Sequence, residues 1–182
     1  MWAMACYRPF SAQYETVKDR TLQTLITARA LIEQAEQLCE LGDRYLATAA
    51  LIVLQDGVEL VFLAVLIERE VDEQVAIEKL SFDDMISAVK KSGIDLPKSG
   101  TLKTMNKLRV TAKHHGQVME PLTVQGHLST AKQVIDAVLS SALGKTLKEI
   151  FLVELIGTNT APRIFLNEAV ASLEAKDYLG KH

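Results

Sequence analysis

The stretch from Tyr45 to Ile67 constrains this chain more than any other part of it. It is apolar nearly all round and about as long as a membrane span. Its middle carries Gln55, Asp56 and Glu59, and charges at that depth are costly in lipid. The stretch therefore reads as the central helix of a bundle, wrapped by other helices, with no membrane role.

The wrapping is legible on both sides. Helical periodicity dominates the chain, and no Val/Thr/aromatic alternation suggests a sheet. Glycine and proline are few, 9 and 4, which argues against a turn-dense β-sandwich. A first helix is expected from about Gln13 to Leu41, closed by Gly42, with Asp43 as the next N-cap. The central helix follows from Arg44 to Glu70, then a shorter one from Asp72 to Leu80. Ser81 caps another helix with a capping-box acid at Asp84, ending at Ser92 and Gly93. After a loop containing Pro97, a helix runs from Thr101 to His115 and stops at Gly116. Pro121 interrupts the chain, and an amphipathic helix spans Thr123 to Leu143, with Leu128, Ala131, Ile135, Val138 and Ala142 on one side. Two shorter helices, Thr146–Ile156 and Pro162–Tyr178, close the sequence. The expectation is one all-α domain over residues 1–182, a bundle of about five to seven helices with its core at about 13–143. Residues 146–182 read as additional helices, and the stretch from Gln34 to Leu46 echoes that from Glu168 to Leu179. The echo fits either two similar helix ends or the start of a truncated second unit.

The two cysteines, Cys6 and Cys39, form no metal pair and no disulfide framework. Residues 1–10 hold no apolar run long enough for a signal-peptide core. A reducing, cytoplasmic setting is the natural expectation.

Charge is unevenly placed. From Lys90 to Gln117 seven basic residues face one acid, Asp95: net +6, leaving −9 for the rest of a chain whose total is −3. Such a local patch can hold phosphates while the remaining surface repels them, although a solvated helix face is the commoner fate of a charge run. On a helix turning about 100° per residue, Leu102, Met105, Leu108 and Ala112 form an apolar stripe. Lys103, Asn106, Lys107 and His114 fall on the polar side, Lys113 borders it, and Arg109 sits at the stripe's edge. His114 and His115 point about 100° apart, which suits a metal poorly. Imidazole in general exchanges protons near neutral pH, and a guanidinium offers a planar fork to phosphate oxygens. RNA carries its own nucleophile, the 2′-hydroxyl, so one His and one Arg are a sufficient minimum for cleavage without metal or cofactor. The structural alternatives are an ion pair from Arg109 to Asp56 or Glu59, and a solvated helix-end role for His114. His127 and His182 stand alone.

The run Leu108-Arg-Val-Thr-Ala-Lys-His-His-Gly116 resembles the HEPN signature, an Arg followed by four to six residues and a His, in the "LR…KHHG" form common in prokaryotic defence proteins. The resemblance covers roughly Ala28 to Leu143. It implies a helical bundle that homodimerises, with motif helices of two protomers facing each other over a composite ribonuclease site. Arg109 would contact the scissile phosphate and His114 would transfer protons. The basic helix face would add Lys103, Asn106, Lys107, Lys113 and His115 as RNA-phosphate binders, with Asp56 and Glu59 as supporting acids. The resemblance also implies a toxin or anti-phage role, held in check by a partner such as a nucleotidyltransferase-like antitoxin. Many active members carry Asn, Asp or His directly after the Arg, where this chain has Val110. A non-catalytic dimerising module that binds RNA, nucleotide or protein therefore remains the second reading.

Overall fold

The computed structural model describes residues 17–150, and every regular element within them is a helix. Five α-helices follow one another: α1 (Asp19–Glu40), α2 (Arg44–Glu68), α3 (Phe82–Lys91), α4 (Ser99–His115) and α5 (Pro121–Leu143). Single 3-10 turns stand at Val71–Glu73, Ile77–Lys79 and Leu147–Glu149. The all-α bundle expected from the periodicity is what forms.

α2 is long and apolar enough to cross a membrane by length and composition, and it is sheathed by α1, α3, α4 and α5. Thirteen of its 25 residues are buried. Its entry is fixed by Asp43, whose carboxylate accepts from the amides of Tyr45 (2.8 Å) and Leu46 (2.9 Å), satisfying donors that a helix start leaves open. Gly42 turns the chain there at φ +71°, a conformation costly for a residue with a Cβ.

Helix directions follow from bonds at both ends. Lys18 Nζ donates to the Ile67 carbonyl (3.2 Å), and Arg20 pairs with Asp72 (2.9 Å). The start of α1 thus lies against the end of α2, and the two are antiparallel. Arg109 on α4 reaches Asp56 on α2 (3.0 Å). The chain then returns to the start of α2, where the Met119 amide donates to Thr48 Oγ1 (2.8 Å) and Arg44 pairs with Glu120 (2.8 Å). So α4 is also antiparallel to α2. α5 begins beside Arg44 and ends where Arg69 donates to the Ser141 carbonyl (3.4 Å), which makes it parallel to α2. Phe62 of α2 stacks on Phe82 of α3, ring centres 5.9 Å apart.

Several boundaries differ from the sequence expectation. The Asp72–Leu80 helix resolves into two 3-10 turns, with Glu70 left-handed (φ +59°) and Ala76 outside helical space. The segment follows the left-handed bend at the end of α2 and buries only Ile77, too little apolar stripe to hold a longer helix. Pro121 starts α5 instead of interrupting the chain, because proline's fixed φ and missing N–H suit the first helical position. α4 begins two residues early, at Ser99, and α1 begins at Asp19, with Val17 and Lys18 not helical. The capping box at Ser81 is half formed: Ser81 Oγ accepts from the Asp84 amide (3.2 Å), and its hydroxyl donates to Asp84 Oδ2 (2.6 Å). A complete box forms at Thr146 and Glu149, where the Thr146–Ile156 helix was expected. Among its described residues the helical part is the turn Leu147–Glu149, and Ile150 is extended. Residues 151–182, with the Pro162–Tyr178 helix and the C-terminal echo, lie outside the described residues, as do Cys6 and the part of the first helix expected before Val17.

α1 and α2 approach closely at Gly57. A Cβ there would meet Ile32 Cγ1 at 2.8 Å and the Ala28 carbonyl oxygen at 3.4 Å. Ile32 is β-branched, stiff and buried, so it cannot swing aside. Gly126 in α5 has nothing within 4 Å of such a Cβ. Gly57→Ala is expected to lower stability by about 1–3 kcal/mol through overpacking. Gly126→Ala should raise it by about 0.5–1 kcal/mol through helix propensity alone. Urea melts of the two variants check the contrast.

Candidate functional site

α4 carries no acidic residue, and its last turn is Lys113, His114 and His115. Three cationic or titratable groups in a final turn are favourable beside the carbonyls that a helix end exposes. Gly116 ends the helix at φ +65°, its amide bonded to the Ala112 carbonyl at 3.1 Å. The expected apolar stripe is what packs inward: Leu102, Met105 and Ala112 are buried and Leu108 is partly buried against the core.

The polar side is arranged as follows. Lys107, Lys113, His114 and His115 are exposed, and Asn106 is half-buried. Lys103 pairs with Asp83 of α3 at 3.5 Å, which partly neutralises it and ties it to a neighbouring helix. Arg109 is the inward member of the set. Its side chain is 18% exposed, while that of its partner Asp56 is 47% exposed. Of the two expected acid partners the guanidinium takes Asp56. Glu59 instead accepts from Gln55 Nε2, one turn back on its own helix (3.2 Å), so its supporting role is to a buried amide. Arg109 Nε is buried without a hydrogen-bond partner.

α4 is α-helical without a break through His115. Arg109 and His114 are therefore held about 140° apart around the axis, the first turned to α2 and the second to solvent. The fold brings Arg109 and Asp56 together and leaves His114 apart from both.

A half-buried face of α2 adjoins this helix. Tyr45, Ala49, Ile52, Asp56, Leu60 and Leu63 recur at three- and four-residue spacing, and each is half-buried or exposed. The sequence reading assigned α2 wholly to the core and missed this seam. The signal was present in Asp56 and Tyr45, a charge and a phenol on one bearing of a helix that is mostly apolar.

Among the described residues no three His, Cys, Asp or Glu side chains gather as a metal site. A hollow of about 420 Å³ lies between α1 and α5, lined by Glu36, Cys39, Leu128, Lys132 and Asp136 among others, and shares no residue with the α4 face. Cys39 is buried there, and burial pushes its thiol up from the ordinary value, so it behaves as a core residue and not as a nucleophile.

Fold and site together define an all-helical bundle with a cationic helix seated beside a half-covered central helix. No family model, curated protein or solved structure matches the chain.

His127, on α5, is half-buried, and burial holds its pKa below the ordinary 6.5. The unfolded chain therefore takes up a proton first as pH falls. Stability from this residue is complete above about pH 6.5 and erodes from there down to the depressed native value. Glu149 acts in a separate window. The amide and hydroxyl of Thr146 hold its carboxyl below 4.5, so its contribution is lost only in more acid solution. His127→Gln should flatten the fall in melting temperature between pH 7 and pH 5, and leave any fall below pH 4.5 unchanged.

Proposed function

We propose that this chain is a HEPN-type RNA-binding protein that homodimerises through the α2–α4 face and cleaves RNA there without a metal. The observation that carries the reading is α4 itself: a helix without acids, ending in Lys113, His114 and His115, with Arg109 beside a half-open seam. Lys103, Asn106, Lys107, Lys113 and His115 would hold the RNA backbone, and Arg109 the scissile phosphate. The Asp56–Arg109 pair is open on its carboxylate side, with Asp56 47% and Arg109 18% exposed. A phosphate would share the guanidinium with Asp56, which keeps it oriented.

Cleavage needs a second copy. The 2′-oxygen attacks phosphorus as the bond to the 5′-oxygen breaks, leaving a 2′,3′-cyclic phosphate and a 5′-hydroxyl. One imidazole accepts the 2′-hydroxyl proton and another donates to the departing oxygen. A symmetric dimer brings two His114 side chains to one cleft, and with them an Arg109 from each protomer. A cytoplasmic toxin or anti-phage effector, restrained by a partner protein, is the setting that this chemistry fits.

The second reading, a module that dimerises and binds RNA or nucleotide without cutting it, is favoured by one observation. Val110 is 40% exposed and gives no hydrogen bond where a polar residue would sit beside Arg109.

The two readings separate when wild type and His114→Ala are expressed side by side. Cleavage predicts growth arrest and fragmented RNA with wild type and neither with the variant. Binding alone predicts equal growth and intact RNA in both, with RNA affinity falling steeply as salt rises. Absence of any salt-dependent binding of RNA and of nucleotide would remove both.

A further inference from the structure

Tyr45 is 74% exposed on the first turn of α2. It stands eleven residues before Asp56, which is three helical turns and about 16 Å along the same bearing of the helix. Ala49 and Ile52 lie between them on that bearing, both half-buried, so the surface from Tyr45 to the Arg109–Asp56 pair is one shallow, mostly apolar track. α4 runs antiparallel beside it and delivers its cationic end towards Tyr45. The loop leaving His115 is pinned over the first turns of α2 by the Met119–Thr48 bond and the Arg44–Glu120 pair, each 2.8 Å. Two acids at this end are engaged: Glu120 by Arg44, and Asp43 by the amides of Tyr45 and Leu46. The result is an exposed phenol ring at one end of an apolar track whose other end is a guanidinium, with Lys113 about 40° round α4 from Arg109 and His114 turned to solvent.

We propose that Tyr45 is a stacking platform for a base of single-stranded RNA whose backbone lies along α4. This rests on the reading of α4 as an RNA-binding face and adds the element that selects unpaired RNA. A phenol presents a flat π-face to any base, whereas a base in a duplex is already stacked on its neighbours. The spacing from Tyr45 to Arg109 is a few nucleotides of extended strand, so a base held at Tyr45 fixes which phosphate reaches Arg109. Charge complementarity along α4 is what favours a nucleic acid over an apolar protein surface as the occupant.

The test uses the full chain and a 2′-O-methyl RNA oligonucleotide, which lacks the attacking hydroxyl and stays intact. Affinity is read by fluorescence anisotropy for wild type, Tyr45→Phe and Tyr45→Ala, on the intact strand and on strands carrying one abasic position in turn. Tyr45→Phe is expected to bind as wild type. Tyr45→Ala is expected to lose about 5- to 150-fold, the range that about 1–3 kcal/mol per stacked base implies, with an unchanged salt slope. One abasic position should cost wild type the same factor and cost Tyr45→Ala nothing. Equal binding by wild type and Tyr45→Ala overturns the stacking role and leaves the α4 reading standing. Loss of self-association in Tyr45→Ala by sedimentation, with RNA affinity unchanged, also overturns it and makes a second copy the occupant. No salt-dependent binding by wild type overturns the α4 reading and this inference with it.

Discussion

α2 has no face that water would accept along its whole length, and the other helices are placed by the need to cover it. Burying side chains such as Leu54, Val61 and Phe62 is worth about 1.5–3 kcal/mol each, and these residues are completely enclosed. Coverage at that density needs close approach, and Gly57 is where it is achieved: with no side chain of its own, it lets Ile32 and the Ala28 backbone press against the helix. α1 then lies antiparallel along α2, and the remaining helices must take the sides that α1 leaves.

That covering is incomplete on one side, and the gap defines the site. α4 is shorter than α2 and has a narrow apolar stripe, so it shields only part of the adjoining surface. Asp56 lies in the seam. A carboxylate beside a core is tolerated when a cation neutralises it and solvent still reaches it. Arg109 supplies the charge, and the open seam supplies the water. The ion pair that stabilises the seam thus holds a guanidinium that an anion would have to share with Asp56, the more exposed of the two. The guanidinium's Nε is buried without a partner.

The fold was legible because its determinants are local and periodic. The Gly42–Asp43 punctuation, the Ser81 cap and the apolar stripe of α4 each follow from rules that act within one or two turns. Legibility failed where tertiary packing chose between near-equal alternatives. Val71 to Leu80 has the residues of a helix but buries only Ile77, and so it became two 3-10 turns. Pro121 carries the same local signal whether it breaks a helix or begins one, and only the return of the chain to Arg44 and Thr48 decides. At the site, the convergence of cations on α4 could be read from spacing, and so could the choice of Asp56 or Glu59 for Arg109. Which of those acids wins could not, because it depends on the rotation of α2 against α4. The half-open α2 seam was hidden for the same reason: hydropathy alone does not distinguish a helix covered on four sides from one covered on three.

The unbroken course of α4 sets the terms for any chemistry here. Taking Arg109 as the origin, Lys113 lies about 40° round the helix, Asn106 about 60°, Val110 about 100° and His114 about 140°. Val110 is therefore between the two motif residues, exposed and apolar, on the arc that would have to meet a second copy. In the proposed homodimer an isologous contact sets each residue of this arc against the same arc of the other protomer. An apolar residue near the centre of such a contact removes water, while a polar one would need a matching donor or acceptor across the axis. On this argument Val110 exchanges a hydrogen bond to the neighbouring Arg109 for a dry point of contact that keeps the two cationic rims apart. The cost falls on the orientation of Arg109, which then depends on Asp56 alone. That single dependence makes the seam between α2 and α4 the place where binding and cleavage would part company.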